Sequence, residues 1–247
     1  MPTLLVFIPH PDDDAYAFGG TMALAARAGW RIHVEVATAG EKGERHDGVP
    51  EAPETLGPLR LAELAESCQI LGAESPACWG LADGGLRKSP DQSPRVARII
   101  AEQRPDLVFA LGEDGAYGHP DHIAVYKWVR AGWESLGDGA PPLLLAAFPR
   151  GLFLPQYELC IGMMGNPPEP RRDLIGATEA DYRVEIGDVR ETKLAAIRAH
   201  RTQLPGGKAE ALFPRNIVQR LLGREMFEDA RGGRNGDVAT LLGSLRR

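Results

Sequence analysis

His10 follows a run of apolar residues and precedes three carboxylates, in the segment Pro9-His10-Pro11-Asp12-Asp13-Asp14. An imidazole with a carboxylate three positions on is a donor pair suited to a divalent metal. The same carboxylates would repel a phosphate, which nucleotide sites meet with Gly-rich backbone N–H groups instead. The chain contains no GxGxxG, no GxxxxGKS/T and no GxSxG, so nucleotide binding and serine hydrolysis lack their usual signatures. A second group, Tyr117-Gly118-His119-Pro120-Asp121-His122, places two imidazoles three residues apart, with Pro120 suited to the first turn of a helix that projects both. His10, Asp13 and His122 together supply two imidazoles and a carboxylate. Three protein ligands plus an open position is the catalytic form of a zinc site, whereas structural zinc is closed by four. The bland alternatives are that Asp12 to Asp14 only cap a helix and that His119-x-x-His122 is a solvated helix start. Capping requires no imidazole, and two such clusters at one edge of a sheet go beyond what capping explains.

The elements that must position these residues can be read from periodicity. Residues 3–8 (TLLVFI) form a continuous apolar run, as expected of a strand covered on both faces. Residues 31–38, 77–81 and 106–111 read as further strands, and 15–28, 59–71, 93–103 and 120–133 as helices. Residues 40–57 read as a loop. This alternation predicts an α/β fold: a Rossmann-like, doubly wound, mostly parallel sheet with helices on both faces and ligands at the carboxyl ends of the strands. After residue 141 the pattern changes to a smaller strand-and-helix portion. There 143–148, 157–163 and 182–186 read as strands, 189–200 and 209–222 as helices, and 166–173 as a loop. The Gly-rich end, with Gly232, Gly233 and Gly236, reads as mobile. The expected organisation is one domain over 1–247, with a metal-binding core at 1–140 and a substrate-side elaboration at 141–247.

Composition limits what such a site can serve. With 28 Lys and Arg against 34 Asp and Glu, the 247-residue chain carries a net charge of −6, which argues against nucleic-acid or anionic-membrane partners. At 43% apolar and 25% charged residues it is an ordinary globular composition. No apolar run approaches the roughly 20 residues of a membrane span, and the start lacks the basic region of a secretion signal. Cys68, Cys78 and Cys160 are scattered and odd in number, which suggests a reducing cytoplasm and not a disulfide framework. A homo-oligomer is compatible with all of this.

His10-Pro11-Asp12-Asp13 and His119-Pro120-Asp121-His122 resemble the paired motifs of the PIG-L/LmbE-like zinc-dependent N-acetylglucosaminide deacetylases. The resemblance covers about the first 130 residues and extends to His200-Arg201-Thr202-Gln203, similar to the family's late HxxQ element. Gly40-Glu41-Lys42-Gly43-Glu44 and Arg60-Leu61-Ala62-Glu63 look most like the branch acting in mycothiol or bacillithiol synthesis. The resemblance implies that His10, Asp13 and His122 bind Zn2+, with Fe2+ the alternative. It implies that Asp12 is the general base, that His119 polarises the intermediate or protonates the leaving amine, that Tyr117 stabilises the oxyanion, and that Asp121 orients His119 or the ligand shell. Asp14 stands where the family's motif has Glu, so a contact there, with the substrate or with the groups behind the metal ligands, is altered by one methylene. Substrate contacts are implied for Asp14, Glu44, Arg45, Arg60, Asp83 and His200. Arg60 could instead pair with Glu63 or Glu66 on a helix surface, Glu44 and Arg45 could be a solvated loop, and His200 could simply favour a helix end.

The expected activity is removal of the N-acetyl group from an N-acetylglucosaminyl conjugate of malate or inositol type, giving the free amine and acetate. Another N-acyl or thiol-conjugate substrate is the alternative. Two other classes compete. Asp12-x-Asp14 after an apolar strand faintly resembles a magnesium-dependent phosphatase, although Tyr16 stands where that pattern wants Thr or Val. A non-catalytic sugar-binding module would need neither Asp12 nor His119.

Overall fold

The computed structural model describes residues 1–49, 53–164, 171–212 and 217–245. Its strands are β1 (Thr3–Ile8), β2 (Arg31–Thr38), β3 (Ala77–Leu81), β4 (Leu107–Leu111), β5 (Leu143–Ala146), β6 (Tyr182–Glu185) and β7 (Arg224–Asp229). They form one sheet in the order β3-β2-β1-β4-β5-β7-β6. The first five strands are parallel, whereas β7 runs antiparallel to both β5 and β6. The strand order reverses between β1 and β4, and that switch point is where an open α/β sheet leaves a crevice at its carboxyl edge.

β1 shows why the sheet is covered twice. Leu4, Val6 and Ile8 point into one core and Leu5 and Phe7 into the other, and all are buried. The alternation is that of a strand whose two faces both meet helices. On the first face lie α1 (Gly19–Arg27), α2 (Pro53–Leu71) and α7 (Arg190–Ala199), around a stack of Phe18, Phe109 and Phe227. On the second lie α3 (Ser93–Gln103) and α5 (Pro120–Glu134), packed on each other through Val96, Val125 and Trp128. Between them in sequence sits the short turn α4 (Gly115–Gly118). The chain closes with α6 (Leu154–Met164), α8 (Ala209–Leu212), α9 (Ile217–Leu221) and α10 (Gly236–Ser244). Among the described residues no helix is long and apolar enough to cross a membrane.

Four elements differ from expectation. The run 157–163, read as a strand, lies within helix α6, where Tyr157 is buried and Leu159 is 55% exposed. A short apolar run carries no decisive period, so tertiary packing decided it. β7 was not expected at all, because its core-facing positions are Glu225, Phe227 and Asp229, two carboxylates where a strand normally shows apolar residues. The Gly-rich end is an ordered helix, α10, capped by Asn235 and packed through Val238, Leu242 and Leu245. The helix expected at 15–28 opens instead with a π-helical turn, Asp14–Phe18, before α1. The helix expected at 209–222 is represented by α8 and α9, and residues 213–216 between them lie outside the described residues, as do 166–170 of the expected loop and 50–52.

Candidate metal centre and active-site cleft

Because β1 and β4 are parallel neighbours, the segments that follow them emerge at the same edge, side by side. After β1, the chain is held by Thr38, whose N–H and hydroxyl both donate to the Pro9 carbonyl (3.1 and 3.0 Å). Gln203 Nε2 donates to the Pro11 carbonyl at 2.5 Å. Asp12 then adopts φ +141°, a region that L-residues avoid, before the π-helical turn begins. Such strain, held in place by its surroundings, is concentrated at functional sites, as π-turns are. After β4, Ala116 also has a positive φ (65°), and His119 caps α5 with Pro120 behind it. His119 Nδ1 accepts from the Asp121 N–H at 3.2 Å, which leaves Nε2 to carry the ring proton.

Three donor groups converge there. His10 Nδ1 lies 3.2 Å from His122 Nε2 and 3.7 Å from Asp13 Oδ2, and His122 Nε2 lies 3.6 Å from Asp13 Oδ1. A tetrahedral site with metal–ligand bonds near 2.0–2.1 Å needs ligand atoms about 3.3 Å apart, so the three groups fit a bound zinc-sized ion. Two other triplets also bring one ligand atom each within 4.8 Å: His10, His119 and His122; and His10, Asp83 and Asp121. The acids of the latter are already engaged. Asp121 accepts from the Gly84 and Leu86 N–H groups (2.8 and 3.0 Å), and Asp83 Oδ2 from the Lys42 N–H (2.9 Å). Both acids instead approach the far nitrogen of His10: Nε2 is 3.1 Å from Asp83 Oδ1 and 3.5 Å from Asp121 Oδ2, ion-pair distances without hydrogen-bond alignment. A carboxylate behind a ligating imidazole is the usual support of a metal site. His10, Asp13 and His122 are therefore the set the geometry favours.

The electrostatics are those of a crevice dense in carboxylates and imidazoles. Burial would lower the His10 pKa, yet the carboxylates of Asp121, Asp13 and Asp83 hold it well above its ordinary value. Burial, and then the nearby positive charges of His119 and His10, push His122 well below. Burial, followed by the Asp13 charge, raises the Asp12 carboxyl to about 7. His119 is lowered to about 4 by burial and by His10.

A cleft of about 230 Å³ opens over these groups. Its floor contains His10, Asp12, Asp13, His119 and His122. On the β2–β3 side stand Glu44, His46, Arg60 and Asp83; on the β4–β5 side stand Tyr117, Phe148, Phe153 and Gln156. Tyr117 is edge-on to both His119 and His122, with ring centroids 5.8 and 5.3 Å away. Arg60 is only 6% exposed and donates to the Gly40 and Glu44 carbonyls (2.5 and 2.9 Å). It is thus no helix-surface partner of Glu63 or Glu66, which bind Thr202 and Arg201 instead. Gly43 lies so close to the Arg60 guanidinium that a side chain there would displace it.

Three expected contacts need correction. Asp14 and His200 are both wholly buried beneath the cleft, where Asp14 accepts from the Ser67 hydroxyl at 2.6 Å and faces His200 Nε2 at 3.4 Å. Neither lines the cleft. The burial of Asp14 also removes the second carboxylate that the phosphatase pattern requires. Arg45 is spent on a two-armed bond to Asp47 (2.7 and 2.8 Å) and does not line the cleft. Of the two roles expected for Asp121, its side chain stands behind His10, on the side of the ligand shell, while its backbone N–H donates to His119 Nδ1. Cleft residues that the sequence did not single out are Tyr16, His46, Gln156 and Gln203. The signal for Gln203 is the His200-x-x-Gln203 element, whose glutamine, not its imidazole, lines the cleft.

Comparison with known proteins places this geometry. Residues 5–133 match the PIG-L family model, described as GlcNAc-PI de-N-acetylase. The chain is 31% identical over 93% of its length, and 89% of the relative's, to the 1D-myo-inositol 2-acetamido-2-deoxy-alpha-D-glucopyranoside deacetylase of Acidothermus cellulolyticus. Among solved structures it resembles N,N'-diacetylchitobiose deacetylase from Pyrococcus horikoshii (TM-score 0.62, 23% identity, 92% of this chain and 83% of that one). It also resembles GalB, the 4-carboxy-2-hydroxymuconate hydratase of Pseudomonas putida KT2440 (TM-score 0.64, 22% identity, 93% and 96%). The fold alone serves hydration as well as deacetylation, so the reaction must be argued from the side chains.

Proposed function

The chain belongs to the PIG-L family of GlcNAc-PI de-N-acetylases, and on that premise we propose that it is a zinc-dependent hydrolase of an N-acetylglucosaminyl conjugate, releasing acetate and a free glucosaminyl amine. The observation that carries this reading is the convergence of His10 Nδ1, Asp13 and His122 Nε2 at ligand-to-ligand spacing, with Asp12 and His119 beside them and not among them. An ordinary amide is a poor electrophile, and a divalent cation held by these three residues would polarise its carbonyl and acidify an attacking water. The rest falls to the chain. Asp12, whose burial raises it to about 7, is poised to take the proton of that water near neutral pH, where an ordinary carboxylate is a much weaker base. His119 presents Nε2–H while neutral, which supports hydrogen-bond donation to the carbonyl oxygen as charge develops over service as an imidazolium acid. Tyr117, whose ring lies edge-on to His119, would supply a second donor. The proton collected by Asp12 then returns to the departing nitrogen.

The relative's inositol glycoside is the substrate type favoured here over a malate glycoside. The test is primary-amine release from inositol and malate glycosides of N-acetylglucosamine and from the free sugar, using zinc-loaded protein and an Asp12→Ala control. Release that disappears in the control is the expected outcome. Retained function in Asp12→Ala would favour a binding module, and no release from any substrate would move the assignment to another amide.

A further inference from the structure

Two polar side chains of the cleft have no part in the mechanism above. His46 lies in the loop after β2, and its N–H donates to the Thr202 carbonyl at 2.8 Å. Thr202 is itself held through its N–H and hydroxyl by the buried Glu63 carboxylate (2.8 and 2.7 Å). The backbone at His46 is thereby fixed from behind while its ring, 34% exposed, contributes to the cleft wall. Gln156 lies in the first turn of α6, beyond β5, and its amide lines the cleft without a side-chain hydrogen bond among the described residues. Since β2 and β5 flank the β1–β4 pair on opposite sides, the two residues approach the mouth from opposite walls.

We propose that His46 and Gln156 determine specificity by hydrogen-bonding hydroxyl groups on the part of the substrate beyond the acetamide, and that this part is a neutral, polyhydroxylated ring. The inference rests on the deacetylase reading. A glutamine amide offers both a donor and an acceptor, as a hydroxyl does, and an imidazole ring offers at least a donor, whereas a carboxylate only accepts. Recognition of a carboxylate calls for a free cationic group. Among the described cleft residues Arg60 has two of its arms held by main-chain carbonyls, and His46 Nε2 already has the Glu44 carboxylate 3.9 Å away. Asp83 and Glu44 line the same side of the cleft as His46, so an anionic group there would meet negative charge. At about 230 Å³ the cleft is also below the usual 300–1,000 Å³ of small-molecule sites, which leaves the far ring at the mouth, between these two residues.

The experiment compares wild type, His46→Ala, Gln156→Leu and the conservative His46→Gln, all zinc-loaded. Steady-state constants are measured on the inositol glycoside, the malate glycoside and free N-acetylglucosamine, with calorimetric binding of the deacetylated inositol glycoside alongside. Loss of one neutral hydrogen bond should raise KM for the inositol glycoside roughly 3–10-fold, more than for the free sugar and with a smaller change in kcat. His46→Gln should restore most of the loss. An unchanged KM ratio, an equal fall in kcat on every substrate, or a wild-type preference for the malate glycoside would overturn the proposal. Binding of the inositol ligand that weakens in the variants, with no amine released from any substrate, would instead overturn the deacetylase reading and leave this one standing.

Discussion

Asp12 combines a half-buried carboxylate and a positive φ, two costs to stability, with a place in the cleft, a set that one residue rarely bears without a chemical reason. If it is the general base, Asp12→Asn should lower kcat by about 10²–10⁴-fold while metal content stays at the wild-type value; metal analysis that falls in step with activity would place it among the ligands. Its strain gives a second readout. Gly accepts positive φ, so Asp12→Gly should stabilise the metal-free protein by about 1–2 kcal/mol, on the order of 2–6 °C in Tm, while abolishing turnover. Asp83 acts through His10, and Asp83→Asn should weaken zinc affinity about 10–100-fold in a competition titration, with a proportionally smaller effect on kcat at saturating metal. These placements were legible to different degrees. The convergence of His10, Asp13 and His122 could be read from the sequence because both motifs directly follow strands that pair. The burial of Asp14 and His200 could not, because a carboxylate next to a ligand looks the same in sequence whether it turns toward solvent or toward Ser67.

The elements show where such reading fails. Alternating strands and helices reveal the parallel half because each buried strand is a plain apolar run, as in β1 and β4. β7 was hidden because it carries Glu225 into the core, where the carboxylate accepts from the Gly20 and Thr21 N–H groups (2.7 and 2.8 Å) and from Lys193 Nζ (2.6 Å). Lys193 also donates to the Tyr16 carbonyl at 2.9 Å. This buried pair sits at the junction of the π-turn and α1, satisfying N–H groups that a helix start leaves open. Removing one partner strands the other charge, so Lys193→Met should cost about 3–5 kcal/mol, on the order of 10 °C in Tm. Lys193→Met with Glu225→Gln should recover part of that loss, because no unpaired charge remains. Thermal unfolding of the three variants checks this, and a double variant no better than the single one would show that packing, not charge, is what Lys193 supplies.

At the scale of the molecule, residues distant in sequence converge on one crevice. The proposed metal ligands follow β1 and β4, and Asp83, which stands behind His10, follows β3. The latter half of the chain braces them, through Gln203 on Pro11, Thr202 on Glu63 and Lys193 on Tyr16. The ligand positions therefore exist only in the folded chain, and an ion that binds them must stabilise the whole fold by mass action. Free zinc at 100 times its Kd should add about 2.7 kcal/mol, raising Tm on the order of 5–10 °C for a chain of this size. His122→Ala removes a ligand without touching the bracing contacts, so it should fold yet show little of this shift. Scans of both proteins, stripped with a chelator and then titrated with zinc, decide the matter. An equal rise in both would mean that zinc binds elsewhere, and no rise in wild type would mean that the three groups, though spaced for an ion, do not hold zinc.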